Sequence, residues 1–495
     1  MTVADGGFSS SEEYFSGVVS FLRGPEAAAM EHAELEACLQ SHSTELFRRL
    51  SQDHVDLRAD REQRVEEVAD AKGVPRPSIE AGHARALVMV FGEIRVRRFA
   101  YRKKGYPNLH PADGAFNLPD ERHSHGLRRL AAIEASRGSF ESAAEAIERA
   151  TGQRVGKRQV EQLAGRAAVD VEAFYERRCH EQVDAGDVLV ISCDGKGIVM
   201  RPDALREQTR KAAQSATSKL HTRLSKGEKH GRKRMATVGA VYDVTPVPRT
   251  PEDIFGSRDQ PRVEPPVAKN KWLTASVVRD AAAVVAGVFD QAERRDPDHA
   301  RTWVALVDGN NHQIDRIEKE AKARGVTIWI VVDLIHVLEY LWSAAWCFFT
   351  EGDTAAEEWV RNRAVAVLEG GAREVAAGIR RRASTEGLKA ASRRNADTCA
   401  DYLTNKAPYL DYPKALSSGW PIATGVIEGA CRHICKDRMD LTGARWGLEG
   451  AEAVLKLRTV RSNGDFDEYW RFHLGRKRER VHSSCYAGNV VPVAA

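Results

Sequence analysis

Two carboxylates close apolar runs and a third opens a helix-like segment, and this spacing suits cation chemistry. Asp194 ends the run in DVLVISCDGKG, Asp308 ends the run in TWVALVDGNN, and Glu428 opens TGVIEGACRHICKDRMD. A carboxylate at a strand terminus sits at a sheet edge, where backbone order fixes its direction. Carboxylates converging there repel one another unless a divalent cation lies between them. Oxygen ligands with open positions are the setting in which Mg²⁺ meets substrate phosphates. Two such ions can clamp the attacking and leaving oxygens of a phosphodiester displacement. The expectation is Mg²⁺ or Mn²⁺, as a pair of ions, serving phosphoryl transfer on DNA.

Asp333 also ends an apolar run, IWIVVD, so the second ligand has to be chosen. In an RNase H-like sheet the first and fourth strands are neighbours, about 4.8 Å apart, and the fifth lies one place further out. That favours Asp308 over Asp333. Asp333 opens Asp-Leu-Ile-His, where an N-cap role accounts for it without catalysis. His336, three residues on, either reaches the site edge as an accessory group, against a flipped base, or is a hydrogen-bonded core residue. Glu428 has a local explanation too: it follows a possible Thr424 cap, where the helix dipole favours negative charge. Cys431, His433 and Cys435 have no clear fourth ligand at zinc spacing. Lys436, Arg438 and Arg445 on the same segment suit phosphate contacts.

The elements that must position these groups follow from periodicity. Strands are expected at 187–193, 197–201, 235–243, 303–307 and 327–332. Helices are expected at 275–294, 311–324 and 334–349. That order suits a mixed sheet. From Phe349 to about Pro408 the pattern is all helical, a loop follows, and 425–460 reads as a long closing helical segment. Upstream, 25–70 reads as helix, and ALVMVFGEIRVRRFAYRKKG reads as two strands joined near Phe91-Gly92-Glu93. Between 126 and 183, two short amphipathic helices break at Thr151-Gly152. The second carries Lys157, Arg158, Gln159 and Gln162 on its early turns. A helix-turn-helix presents such side chains to the major groove, although an ordinary helical hairpin gives the same pattern.

The 495 residues carry a net charge of only +4, which is weak evidence about any partner. The charge is concentrated, however. From Arg206 to Arg234 there are ten Lys/Arg against two Glu, including Lys226, Lys229, Arg232 and Lys233. Beside a phosphate-handling site, such a run suits an electrostatic hold on nucleic acid, although a solvated loop has the same composition. The eight cysteines show no disulfide-like spacing and no secretory signal is seen, so a reducing cytoplasm is expected. No apolar stretch reaches a bilayer span, and a membrane partner is not expected.

The segments SHGLRRLAAIEASRGSFESAAEAIERATG, ISCDGKGIVMRPDA, KRMATVGAVYDVTP, LVDGNNHQ and GVIEGACRHICKDRMDLTGARWGLEGAEAVLKLRTVRSNGDFDEYW together resemble ISKra-type transposases of bacterial insertion sequences. The resemblance runs from about residue 85 to 475. It implies a DDE transposase in which Asp194, Asp308 and Glu428 are the catalytic, metal-binding residues. Asp333-x-x-His336 is similar to a motif that Mutator-like and hAT-type transposases carry after their second Asp. Those relatives place a helical insertion before the Glu-bearing helix, where 350–420 falls. The expected fold is multidomain α/β and α. An N-terminal helical region (1–84), a β-hairpin and loop (85–125) and a helix-turn-helix DNA-binding region (126–183) precede an RNase H-like core. The core is split into 184–349 and 423–475 by an all-helical insertion (350–422), and a flexible tail (476–495) follows. Expected partners are double-stranded DNA, namely element ends and target, and further copies of this chain on DNA. The rival readings are an RNase H-like nuclease or resolvase without strand transfer, and a transposase-derived DNA-binding protein without catalysis.

Overall fold

The computed structural model describes residues 7–178, 184–215, 220, 222, 232–256, 262–441 and 443–493. Lys226 and Lys229 lie outside the described residues. The chain forms two compact units, Met1–Glu176 with Gly464–Ala495, and Arg177–Asn463.

In the first unit, α1 (Ser9–Leu22) precedes α2 (His32–Asp60), which starts with a capping box between Glu31 and Glu34. The helix expected to reach 70 stops at Asp60. The residues that follow are taken up by a neighbouring hairpin instead: Phe99 N–H donates to Glu62 at 2.8 Å, and Val65 N–H donates to the Tyr101 hydroxyl at 2.7 Å. That hairpin pairs β1 (Ser78–Met89) with β2 (Gly92–Arg102), so it begins seven residues earlier than the expected boundary at 85. Its inner face packs Leu87, Ile94 and Val96 against Val55 of α2.

Three successive helices lie between 125 and 167. Ser124 caps α3 (His125–Arg137), Ser139 caps α4 (Phe140–Thr151), and α5 spans Lys157–Ala167. The break between α4 and α5 falls at Gly152, whose φ of +69° is one that side chains with a Cβ rarely adopt. The expected tail at 476–495 is not loose: helix Phe466–Val481 runs into it, and Tyr486 beyond is buried and bridged to Asp70. Asp170 anchors that helix through Arg480 and His473.

In the second unit, the described residues form a mixed five-stranded sheet in the order β5-β4-β3-β6-β7. The strands are β3 (Val188–Met200), β4 (Arg232–Val244), β5 (Ala268–Ser276), β6 (Trp303–Val307) and β7 (Ile328–Val332). β3, β4 and β5 pair antiparallel, whereas β6 and β7 run parallel to β3. The two strands expected at 187–193 and 197–201 are one strand, because β4 pairs with β3 along its whole length, across the Gly195-Lys196-Gly197 stretch. β5 was not anticipated. Helix α6 (Ala281–Arg295) lies so close to β4 that a Cβ on Gly239 would meet Val288 Cγ2 at 2.4 Å.

Beyond β6 come α7 (Asn311–Arg324), β7 and α8 (Leu334–Ala345). The helical stretch contains α9 (Thr354–Leu368), α10 (Ala372–Thr385) and α11 (Ala390–Lys406). The segment expected as a closing loop includes a short helix, Tyr412–Ser417. The segment expected as one long closing helix is instead α12 (Gly425–Ala430), a π-helical turn (Cys431–Lys436), a short turn and α13 (Leu448–Ser462).

Candidate active site

Register places the first two carboxylates. β3 and β6 pair in parallel through Ser192↔Leu306. Asp194 and Asp308 each lie two residues beyond that last pair. Neighbouring strands are about 4.8 Å apart, so equal offsets bring the two residues to the same sheet edge. There they line one cleft of about 340 Å³, together with Thr237, Asn310, His312, Gln313 and Arg316. Asp194 is not at a strand end, as β3 continues along β4, but it does lie past the end of the pairing with β6.

Each carboxylate is held by modest donors. Asp194 Oδ1 accepts from the Gly195 N–H at 2.5 Å, and its Oδ2 accepts from the Cys431 thiol at 3.2 Å. Burial, with the adjoining Asp194 charge, pushes that thiol well up, so it keeps its proton and donates. Asp308 Oδ1 accepts from the Asn310 N–H at 2.8 Å. Its backbone is tied to the helical stretch: the Tyr402 hydroxyl of α11 donates to the Asp308 carbonyl at 3.1 Å, and Tyr402 stacks on Tyr340 of α8 at 3.9 Å. Lys406 of α11 donates to Asn311. Gly309 fits this turn for two reasons: its φ is +90°, and a Cβ there would meet the Tyr402 hydroxyl at 2.6 Å. Gln313 donates to the Cys193 carbonyl, next to Asp194.

Asp333 is in a different setting. Its side chain has 0% exposure. Oδ1 accepts from Ile335 N–H at 3.1 Å, capping α8, and from Thr424 N–H at 3.2 Å. Oδ2 accepts from the Thr424 hydroxyl at 2.8 Å and from His336 Nδ1 at 2.9 Å. The N-cap role expected for Asp333 is therefore present. His336 keeps 31% of its side chain exposed, so it is not a core histidine. Burial pulls its imidazole down, but the hydrogen bond and charge of Asp333, with Glu339 and Asp308 beyond, outweigh this and leave it above its ordinary value.

Glu428 is exposed on the first turn of α12, and its Oε1 accepts from Thr424 Oγ1 at 3.1 Å. Among the described residues, one group of three His, Cys, Asp or Glu side chains brings its ligand atoms within 4.8 Å of one another: Asp333, His336 and Glu428. Asp194 and Asp308 stand outside that group. Glu428 lies one turn before Cys431, the residue that touches Asp194, and side chains three apart share a helix face.

The expected DNA contacts divide in the same way. Lys157, Arg158, Gln159 and Gln162 are exposed on α5, although Gln159 Oε1 folds back to accept from the Gly156 N–H at 3.1 Å. Lys233 is exposed and Arg232 half-buried at the start of β4. Lys436 and Arg445 are exposed. Arg438 does not fit a phosphate contact: it is 2% exposed and lies over the Trp446 ring at 4.6 Å. Burial pulls its guanidinium down to about 10. Cys431, His433 and Cys435 do not converge on a common point: His433 contacts Gly429 O and Ser462 Oγ, and Cys431 faces Asp194. Tyr402, Lys406, Gln313 and Arg316 were not anticipated. They lie on α7 and α11 and meet the Asp308 loop or its cleft only through the fold, so no local pattern marks them.

No protein-family model matches the chain, and no curated protein matches it. Among solved structures the chain is similar to a Drosophila P element transposase strand transfer complex, with 9% identity and a TM-score of 0.23 over 69% of this chain and 79% of that one. A likeness of that degree carries no argument about fold or chemistry. Among the described residues no helix is long and apolar enough to cross a membrane.

Proposed function

We propose that the chain is a DNA transposase of the DDE type, acting through an RNase H-like core on transposon ends and target DNA. One observation carries the reading: Asp194 and Asp308, at equal offsets on adjacent parallel strands, open on one cleft. The strand order supports it, since the first strand is flanked by an antiparallel second and a parallel fourth. The motif resemblance to insertion-sequence transposases, which includes both residues, also supports it.

The donor set fits a hard cation. Both cleft residues are carboxylates, and Asp194 Oδ2 has a thiol for a neighbour, a weak donor that leaves most of its negative charge uncompensated. Asp194 and Asp308 would hold Mg²⁺ or Mn²⁺, with Glu428 approaching from α12. The bound ions would polarise the phosphodiester and neutralise charge on its leaving oxygen. The protein's own contribution is positioning and electrostatics. Tyr402 and Asn310 fix the Asp308 turn, Gln313 fixes the backbone before Asp194, and Arg316 supplies a cation at the cleft wall. The exposed Lys157 and Arg158 of α5 would meet DNA as a helix-turn-helix does, and Lys436 and Arg445 would meet phosphates.

The test uses the full chain with supercoiled plasmid and an oligonucleotide carrying the element's end, taken from DNA flanking the gene. Mg²⁺-dependent joining of the oligonucleotide to the plasmid is the expected result. Cleavage without joining would favour a nuclease or resolvase. DNA binding with neither would leave a non-catalytic DNA-binding protein.

A further inference from the structure

The Asp333–His336–Glu428 cluster gathers two carboxylates and an imidazole around one hydroxyl. Thr424 Oγ1 lies 2.8 Å from Asp333 Oδ2 and 3.1 Å from Glu428 Oε1. A hydroxyl has a single proton to donate. Two carboxylate oxygens therefore face one donor proton. The imidazole of His336 stands on the same oxygen of Asp333 at 2.9 Å. All three side chains offer a ligand atom within 4.8 Å of the others, which is the spread that donors around one small cation have. The elements hold this arrangement firmly: Asp333 is locked at the start of α8, His336 follows on that helix's first turn, and Glu428 is on the first turn of α12.

We infer that Asp333, His336 and Glu428 form a binding site for a transition-metal dication of borderline character, such as Zn²⁺ or Co²⁺. An imidazole nitrogen among carboxylate oxygens selects such ions over Mg²⁺, which prefers an all-oxygen shell. Three protein ligands leave an open coordination position. The exposed sides of His336 and Glu428 supply the route of entry. The site differs in donor set from the Asp194–Asp308 cleft and shares with the proposed catalytic reading only Glu428.

The test is a titration of the purified full chain with Co²⁺, followed by its visible d–d absorption, with circular dichroism to verify folding of each variant. The wild type should give a saturable band that excess Mg²⁺ does not remove and stoichiometric Zn²⁺ does. His336→Ala and Glu428→Gln, both at partly or fully exposed side chains, should each weaken Co²⁺ binding by about tenfold or more. Asp308→Asn should keep the band. A wild type without the band, or an undiminished band in folded His336→Ala, overturns the inference, as does equal loss in Asp308→Asn. Mg²⁺-dependent cleavage by the same proteins reads the transposase proposal separately: Asp308→Asn should lose cleavage while keeping the Co²⁺ band.

Discussion

Asp308 and Asp333 begin from the same local position and end in opposite environments. Each is the first residue after a parallel strand, and each accepts a hydrogen bond from the backbone N–H two residues on, at 2.8 and 3.1 Å. After Asp308, Gly309 at φ +90° delays the helix until Asn310 caps α7, so the carboxylate is left at the cleft. Asp333 caps α8 directly and is then roofed by the segment around Ile422 and Thr424. One inserted glycine and one covering segment separate a carboxylate that opens on the Asp194 cleft from one that caps a helix beneath another segment. Sequence position alone therefore does not tell a cleft carboxylate from a helix cap.

The comparison is broken most directly by removing each carboxylate in turn. Asp333→Ala removes the acceptor of four hydrogen bonds, from the Thr424 N–H and hydroxyl, the Ile335 N–H and His336, and uncaps α8, so it should cost about 3 kcal/mol of unfolding free energy. Asp308→Ala, on the cleft wall, should cost well under about 1 kcal/mol. Urea unfolding of both variants checks this, and similar losses would erase the distinction. A smaller effect is expected at Gly309. Gly309→Ala forces a Cβ into the Tyr402 hydroxyl and an unfavourable φ, and should cost about 2 kcal/mol. A melting temperature equal to the parent's would mean that the turn is not held as described. Smaller than the Gly309 effect is that of Tyr402→Phe, which removes one hydrogen bond to the Asp308 carbonyl, worth about 1 kcal/mol. Its DNA cleavage should fall more than its stability, and unchanged cleavage would remove Tyr402 from the positioning of Asp308.

Much of this contrast is legible in the sequence where apolar runs are short, continuous and abruptly ended. β6 was expected at 303–307 and is found there, because WVALV is closed by Asp-Gly-Asn. The break between α4 and α5 was equally clear from Thr151-Gly152. β3 was misread because Gly195-Lys196-Gly197 resembles a turn in isolation, and only the partner strand keeps it extended. β5 escaped notice because its first half, Ala-Lys-Asn-Lys, is largely solvent-exposed and shows no apolar alternation. Arg438 was grouped with Lys436 and Arg445 by charge and segment alone, which do not tell a buried cation from an exposed one. The π-helical turn before it, with its wider i→i+5 repeat, shifts which side chains face inward. The tie from Tyr402 to Asp308 spans 94 residues, a separation that no local periodicity encodes.

The claim that the Asp194–Asp308 cleft, and not Asp333, is the catalytic centre is tested by Mg²⁺-dependent cleavage rates of Asp308→Asn and Asp333→Asn at equal folded concentration. With DNA binding by both variants verified, Asp308→Asn should lose at least about a hundredfold in rate, while Asp333→Asn keeps a clearly larger share of activity. The reverse order, with Asp308→Asn cleaving faster than Asp333→Asn, would contradict the account.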